Sequence, residues 1–384
     1  MPHQAVQAGA MWIFDGHLDV AMNALLYERD QTLPVEKLRR REAGGAGDDR
    51  GRAMVSLPEL RGAGVAVIVG TLIARAKPWV NPARKILRND LDYPDASMAY
   101  AAAQGQLAYY RLLESRGLLR IITDAASLEE HLRAWQSPRR SSEPLPVGVI
   151  LLMEGADPIV EPQQVRAWWS QGLRVLGLAH FGHSRYAAGT PSRDPSSPEQ
   201  DGSLTLLGLE LLKHMRELPI ALDLTHLSDT SFYQAVDAFD GPVCASHSNC
   251  RSIAPGPRQL SDRQIRLIVE RDGVIGVAMH HAMIRQGQGL KAADVRLGHV
   301  AEHIDHICQL AGSARHVALG TDLDGGFGAE ATPADLQSYA DLHQLAPLLS
   351  QRGFDDADVA AFFHGNWLRF FRRTLPPTPI AASL

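Results

Sequence analysis

The 384-residue sequence lacks the features that mark several large protein classes. Its three cysteines, Cys244, Cys250 and Cys308, are too few and too irregularly spaced for a disulfide framework. Cys244 and Cys250 read instead as small buried apolar side chains. No stretch reaches the roughly 18 uninterrupted apolar residues of a membrane span. The net charge is −5 with both signs interspersed, and no basic block or aromatic-basic stripe offers a footprint for nucleic acid. No Gly-x-Gly-x-x-Gly turn follows an early strand, which weighs against a doubly wound dinucleotide-binding sheet. Internal repeats and low-complexity segments are missing too. Residues 1–10 carry neither a basic n-region nor a long apolar run, and the proline-broken Leu375–Ile380 is too short for a lipid-anchor signal. The expectation is a cytoplasmic protein with no membrane and no nucleic-acid partner.

What is present is an alternation. Hydrophobic residues make up 45% and charged residues 21%, an ordinary balance for a globular α/β chain. Eight apolar runs predict strands near residues 11–15, 64–71, 147–153, 173–179, 220–224, 242–246, 274–279 and 316–320. Amphipathic stretches between them predict helices at 97–113, 165–169, 204–218, 261–271 and 295–310, and two more at 333–351 and 356–373 close the chain. Ser228 or Asp229 and Ser261 or Asp262 stand where N-caps belong, and Gly273 where a helix stops. Strands that are apolar throughout suit a parallel sheet covered on both faces. The pattern predicts a (β/α)8 TIM barrel of the metal-dependent hydrolase type, with an open doubly wound sheet as the alternative. A single domain over 1–384 is expected, with inserted loops at about 30–60 and 76–97 and the C-terminal helices at about 333–373.

Polar residues cluster where these apolar runs give out. His17 and Asp19 follow the first strand, in a His-x-Asp spacing that turns two donor side chains to one side of an extended chain. Alone, that triplet also fits a histidine beside a capping aspartate. Glu154 ends the third strand, His180 the fourth, His226 the fifth, His247 the sixth and Asp322 the eighth. In a barrel these C-terminal ends form one mouth, the place where active sites are built. Carboxylates mixed with imidazoles, without thiolate, suit Zn²⁺ or a similar divalent ion.

The same residues lie in segments that resemble the membrane dipeptidase (renal dipeptidase) family of zinc peptidases, as a soluble bacterial-type member. The matching pieces are Asp15-Gly16-His17-x-Asp19, Met153-Glu154-Gly155, Leu178-Ala179-His180, Asp223-Leu224-Thr225-His226-Leu227-Ser228 and Ser246-His247-Ser248-Asn249-x-Arg251. Pro257-Arg258-x-Leu260-x-Asp262, Gly320-Thr321-Asp322-x-Asp324-Gly325 and Gly365-Asn366-Trp367-Leu368-Arg369 complete the set, in family order. The resemblance implies two Zn²⁺ ions, the first held by His17, Asp19 and Glu154 and the second by Glu154, His226 and His247. It implies that His180 contacts the substrate carbonyl, that Arg258 holds the C-terminal carboxylate, and that Asp322 stands beside the substrate amino group and the reacting water. The expected activity is hydrolysis of dipeptides with a free carboxylate, including ones with a D-residue at the C-terminus. The alternative is a related amidohydrolase acting on an N-acyl amino acid or a lactone. A small peptide is the expected partner, and pairing into a homodimer fits a barrel of this size.

The sequence departs from the family pattern at Leu18, where asparagine is usual but the side chain of a strand residue would face away from the ligands, and at His280-His281 and in the 181–186 loop, which bear on specificity more than on chemistry. Arg251 reads as a brace for its loop, and Asp324 as a neighbour of the site rather than a member. His299, Glu302 and His303 spell an inverted metal motif, but the helical spacing reads better as a solvated helix face.

Overall fold

The apolar runs form parallel strands, and the amphipathic stretches form the helices that cover them, in a computed structural model that describes residues 11–43, 51–77, 91–137, 144–191, 202–287 and 290–378. The described strands are β1 (Ile13–Leu18), β2 (Val65–Leu72), β3 (Arg75–Ala76), β4 (Asp92–Tyr93), β5 (Leu119–Ile121), β6 (Val147–Met153), β7 (Leu173–Gly177), β8 (Ala221–Asp223), β9 (Val243–Cys244), β10 (Ile275–Val277) and β11 (Val317–Leu319). Parallel pairing runs β1-β2-β6-β7-β8-β9, and β10 pairs with β11. Backbone bonds join the two sheets: Ala245 N–H donates to Val274 O at 2.9 Å and Gly276 N–H to Ala245 O at 2.8 Å. Asp322 N–H donates to His17 O at 3.2 Å and brings the end of β11 back to β1. Eight strands thus curl into the expected (β/α)8 TIM barrel. Their side chains are buried inside and out, as parallel strands covered by helices must be.

Local chemistry explains the element ends. Ser228 accepts from Ser231 N–H and caps the helix Asp229–Ala238; Ser261 does the same from Gln264 N–H for Asp262–Glu270. That second helix stops differently from expectation. Asp272 rather than Gly273 takes the left-handed φ, at 50°. Gly273 is needed for close approach, since a Cβ there would meet Val243 O at 2.6 Å.

Several features differ from the sequence reading, among them the short helices Val20–Leu26, Val35–Glu42 and Leu57–Gly62, which it did not foresee. The three-residue β5, paired along the lower half of β6, and the helix Ala125–Gln136 were both missed. β5 is too short to stand out as an apolar run. The stretch expected as one helix over 333–351 is a 3₁₀ segment, Tyr339–Gln344, followed by the short helix Leu345–Ser350. Asp341 binds back to Ser338 N–H at 2.8 Å and so starts helical structure there, not at Pro333. The last predicted helix runs Asp356–Ala360, widens into a π turn at Ala361–Gly365, and continues as Asn366–Thr374. The inserted loops expected at about 30–60 and 76–97 lie partly outside the described residues, and residues 1–10 wholly so. Among the described residues no helix is long and apolar enough to cross a membrane.

The helix Asn366–Thr374 ties several strands together, its Trp367, Phe370 and Phe371 sharing one apolar cluster with Phe14 of β1, Val67 of β2, Ile150 of β6 and Ala318 of β11. Asn366 Nδ2 donates to Ala314 O and Val317 O, and Trp367 Nε1 to Leu319 O at 2.7 Å. The Trp367 ring lies against Gly16 of β1, where any Cβ would run into it. Gly16→Ala therefore overpacks this contact and should cost about 1–3 kcal/mol of stability. Adding Trp367→Phe should recover part of that loss. Urea unfolding of the two single variants and the double variant checks it: strictly additive losses would show that the two positions do not press on each other.

Candidate metal centre

The barrel raises its functional side chains by a repeated offset. His180, His226, His247 and Asp322 each stand three residues past the end of β7, β8, β9 and β11, while Asp19 and Glu154 follow β1 and β6 directly. Turns this abrupt force unusual backbone angles. His226 and Asp322 have φ of 67° and 56°, a left-handed conformation that non-glycine residues hold only when their surroundings impose it. Glu154 is set by its N–H donating to Leu72 O at 2.9 Å.

Glu154 is the centre of the arrangement. Its Oε2 lies 3.4 Å from His17 Nε2. Its Oε1 lies 3.4 Å from both His226 Nε2 and His247 Nε2, and 3.7 Å from His180 Nε2. Asp19 Oδ1 and Asp322 Oδ1 stand 3.8 and 3.9 Å from His17 Nε2. The donor atoms gather into three overlapping groups able to hold a cation: His17, Asp19 and Glu154; Glu154, His226 and His247; and His17, His247 and Asp322. The structure therefore brings together the residues singled out from the sequence, and one carboxylate reaches toward two groups through different oxygens.

The electrostatics show what this set is built to hold. Burial alone would push the His17 pKa down, but the Glu154 carboxylate, with Asp19 and Asp322, overrides it and lifts His17 to about 10. Burial, then repulsion from Glu154, raises the Asp19 carboxyl to about 6. Asp322 is raised well above the carboxylate range, again first by burial. Burial lowers His180, His226 and His247. Three carboxyl groups share a low-dielectric mouth, so the site favours any positive charge placed among them. His17 Nε2 is also buried without a hydrogen-bond partner. A divalent cation matches both observations, and the oxygen and nitrogen donors fit one.

Neighbours that the sequence reading missed orient the site. Thr71 Oγ1 donates to Asp19 Oδ1. Arg75 Nη1 lies 3.2 Å from His180 Nδ1, and its Nε donates to Asp92 at 2.7 Å. A guanidinium only donates, so His180 Nδ1 must accept, and the ring carries its proton on Nε2. Nothing in the spacing of Arg75 and His180 could have announced this contact, because 105 residues separate them.

Arg258 lines the cavity, donating to His247 O at 2.8 Å and to Ser248 Oγ at 3.2 Å, and burial lowers its pKa. The cavity holds about 860 Å³, with Phe181, His280, His281 and Phe327 along its wall. His280 stacks on His281 with centroids 4.8 Å apart and meets Phe327 edge-on at 4.7 Å.

Other expectations resolve cleanly. Arg251 binds Asp229 with two bonds of 2.7 Å, the expected brace. Asp324 accepts from the Met54 and Val55 N–H groups and lies 3.4 Å from Arg29, so it anchors the neighbouring segment. His303 is neither a ligand nor on a solvated face. It is fully buried, taking the Cys250 N–H at 3.0 Å on Nδ1 and donating to Ile284 O at 2.7 Å from Nε2. His299 accepts from Arg296 N–H as part of a helix cap.

A family model for membrane dipeptidases, peptidase family M19, matches residues 5–375. The chain is 30% identical over 270 residues to an uncharacterized protein in the pqqA 5′ region of Klebsiella pneumoniae, covering 70% of this chain and 94% of that one. It is 27% identical over 251 residues to dipeptidase aclJ of Aspergillus oryzae, covering 65% of this chain but only 55% of that protein. Among solved structures, it is similar to a metallopeptidase from Rhodobacter sphaeroides liganded with a phosphinate mimic of the dipeptide L-Ala-D-Ala. The two share 25% identity with a TM-score of 0.74, over 95% of this chain and 99% of that one.

Because Glu154 belongs to two donor groups, its loss should be felt at both. Glu154→Gln should lower bound divalent metal more than Asp19→Asn, which touches one group. Elemental analysis of the two variants after zinc loading decides it; equal metal content would remove Glu154 from the shared position.

Proposed function

The chain belongs to the membrane dipeptidase family, a family of metal-dependent hydrolases, and from that premise we propose that it is a binuclear zinc dipeptidase. The observation that carries the reading is the division of Glu154 between His17 on one side and His226 with His247 on the other. The first ion would be held by His17, Asp19 and Glu154, the second by Glu154, His226 and His247. Such a pair, when bound, polarises a carbonyl and lowers the pKa of water.

The remaining steps belong to the protein's own residues. Arg258 receives the free carboxylate of the substrate, for which a guanidinium offers two parallel donors. It stands on the loop after β9, beside the His247 carbonyl, so the carboxylate it holds lies a fixed distance from the zinc ligands. His180, held by Arg75 with its proton on Nε2, donates to the carbonyl oxygen as charge gathers there. A neutral ring can do this without first giving up a proton. Asp322 takes the proton released by water and returns it to the leaving amine. A D-residue at the C-terminal position is part of the proposal, because the mimic bound by the Rhodobacter sphaeroides relative is one of L-Ala-D-Ala.

Two outcomes test the reading. A dipeptide with a free carboxylate should be cut, and its C-terminal amide cut poorly, since losing the partner of a buried charge costs ~2–5 kcal/mol. Equal kcat/KM for acid and amide would take Arg258 out of this role, and a panel that includes N-acyl amino acids and lactones exposes a different substrate class.

Asp322→Asn should keep its metal but lose turnover by ~10²–10⁴, because the amide holds the shape and cannot carry the proton. Asp322 also forms a donor group with His17 and His247, so the opposite result has a clear meaning. Lowered metal content, with activity rescued by added zinc, would make Asp322 a ligand. Metal analysis and steady-state kinetics on one preparation separate the two.

A further inference from the structure

Beneath the zinc donors lies a hydroxyl that touches two of their imidazoles. Ser246 Oγ is 2.5 Å from Asp223 Oδ2, 2.9 Å from His247 Nδ1 and 3.2 Å from His17 Nδ1. All four residues are at most 2% exposed, so water does not compete for these bonds. A serine hydroxyl has one proton and two lone pairs. Asp223 settles where the proton goes. Its Oδ1 already accepts the N–H groups of Thr225 at 3.1 Å and Ser246 at 2.9 Å, and as a carboxylate its Oδ2 can only accept. Ser246 therefore gives its proton to Asp223, and both lone pairs are left to receive N–H donors. His17 and His247 are those donors. Each ring keeps its proton on Nδ1, which leaves Nε2, facing the mouth, as the nitrogen a bound cation would take.

In the two-zinc reading these two rings serve different ions, His17 with Asp19 and Glu154, and His247 with Glu154 and His226, while both also meet Asp322 in the third donor group. We propose that Ser246, anchored by Asp223, is a positioning residue shared by both metal sites, one hydroxyl setting the tautomer of one histidine in each. Glu154 joins the two sites from the side of the ligands; Ser246 joins them from behind. The third ligand histidine gives a built-in contrast. His226 Nδ1 faces a different hydroxyl, Thr190 Oγ1, at 3.4 Å, and that hydroxyl passes its own proton to His226 O at 3.2 Å. Removing Thr190 should disturb one site, and removing Ser246 both.

The inference rests on the two-zinc reading, and the test keeps the two apart. Metal-free wild type, Ser246→Ala, Ser246→Thr and Thr190→Val are titrated with zinc against a competing chelator, with circular dichroism to confirm that each is folded. Ser246→Ala should weaken both zinc affinities by roughly 10–100-fold, the usual scale for losing a partner behind a metal ligand. Ser246→Thr restores a hydroxyl and should recover both affinities, while Thr190→Val should weaken one. Should Ser246→Ala not fold, Asp223→Asn carries the same measurement. Its carbonyl stays on the two backbone donors, so its NH₂ faces Ser246, turns the hydroxyl proton toward a histidine, and should again weaken both sites. Wild-type affinity at both sites in a folded Ser246→Ala, or in Asp223→Asn where it stands in, overturns the inference, as does the weakening of one site alone. A wild type that binds fewer than two zinc ions overturns the two-zinc reading itself and this inference with it.

Discussion

Asp19, Glu154 and Asp322 are gathered in one largely buried mouth, and much around them is arranged to make that tolerable. Like charges in a low-dielectric cavity repel strongly, and burial adds a penalty for each. The histidines compensate through their donor atoms, His17 most of all, with three carboxyl groups within 3.9 Å of its Nε2. A divalent ion does the same more completely, which is why the cluster of acids and the choice of imidazoles belong to one design. The wider frame follows from the same demand. Acids from β1, β6 and β11 can meet only where their strand ends converge, and a closed ring of parallel strands makes them converge at one end.

The histidines of the mouth are then distinguished by what stands behind them. His17 and His247 face a serine hydroxyl and His226 a threonine, so their outer nitrogens donate and their inner ones are free to bind a cation. His180 faces the Arg75 guanidinium, so the pattern reverses, and its inner nitrogen carries a proton. Four similar side chains from four strand ends are thereby sorted into three that leave a nitrogen for a cation and one that keeps a proton facing the mouth. The sorting is done by partners whose bonding options are fixed by chemistry, since a guanidinium cannot accept and a hydroxyl bound to a carboxylate has already spent its proton.

This explains how far the sequence could be read. The rim positions were legible because each acid or imidazole marks the point where an apolar run ends, and both signals are local. The barrel was legible for the same reason. What stayed hidden depends on contacts between distant segments. Arg75 reaches His180, Ser246 reaches back to His17, and His303 links Cys250 to Ile284, with no periodicity to join them. His303 misled because its helical spacing was right for a surface, while the loops packed over that helix made it a core residue. The 333–351 stretch misled because composition alone does not show where Ser338 and Asp341 reset the chain.

The left-handed backbone at His226 and Asp322 connects the two levels. An unconstrained chain would relax such angles, at a gain of order 1–3 kcal/mol per residue. Here each strained turn is held by bonds on both sides. Thr190 Oγ1 donates to the His226 carbonyl, Asp322 N–H is taken by His17 O, and the next residue back, Thr321, donates its N–H to Asp15 Oδ1 at 2.9 Å. Asp15 also receives His17 N–H at 3.0 Å and the Tyr339 hydroxyl. The same buried carboxylate therefore fixes the start of the rim at β1 and its end at β11. Holding His17 and Asp322 against each other is what closes the barrel, and closing the barrel is what sets the two side chains within reach of one site.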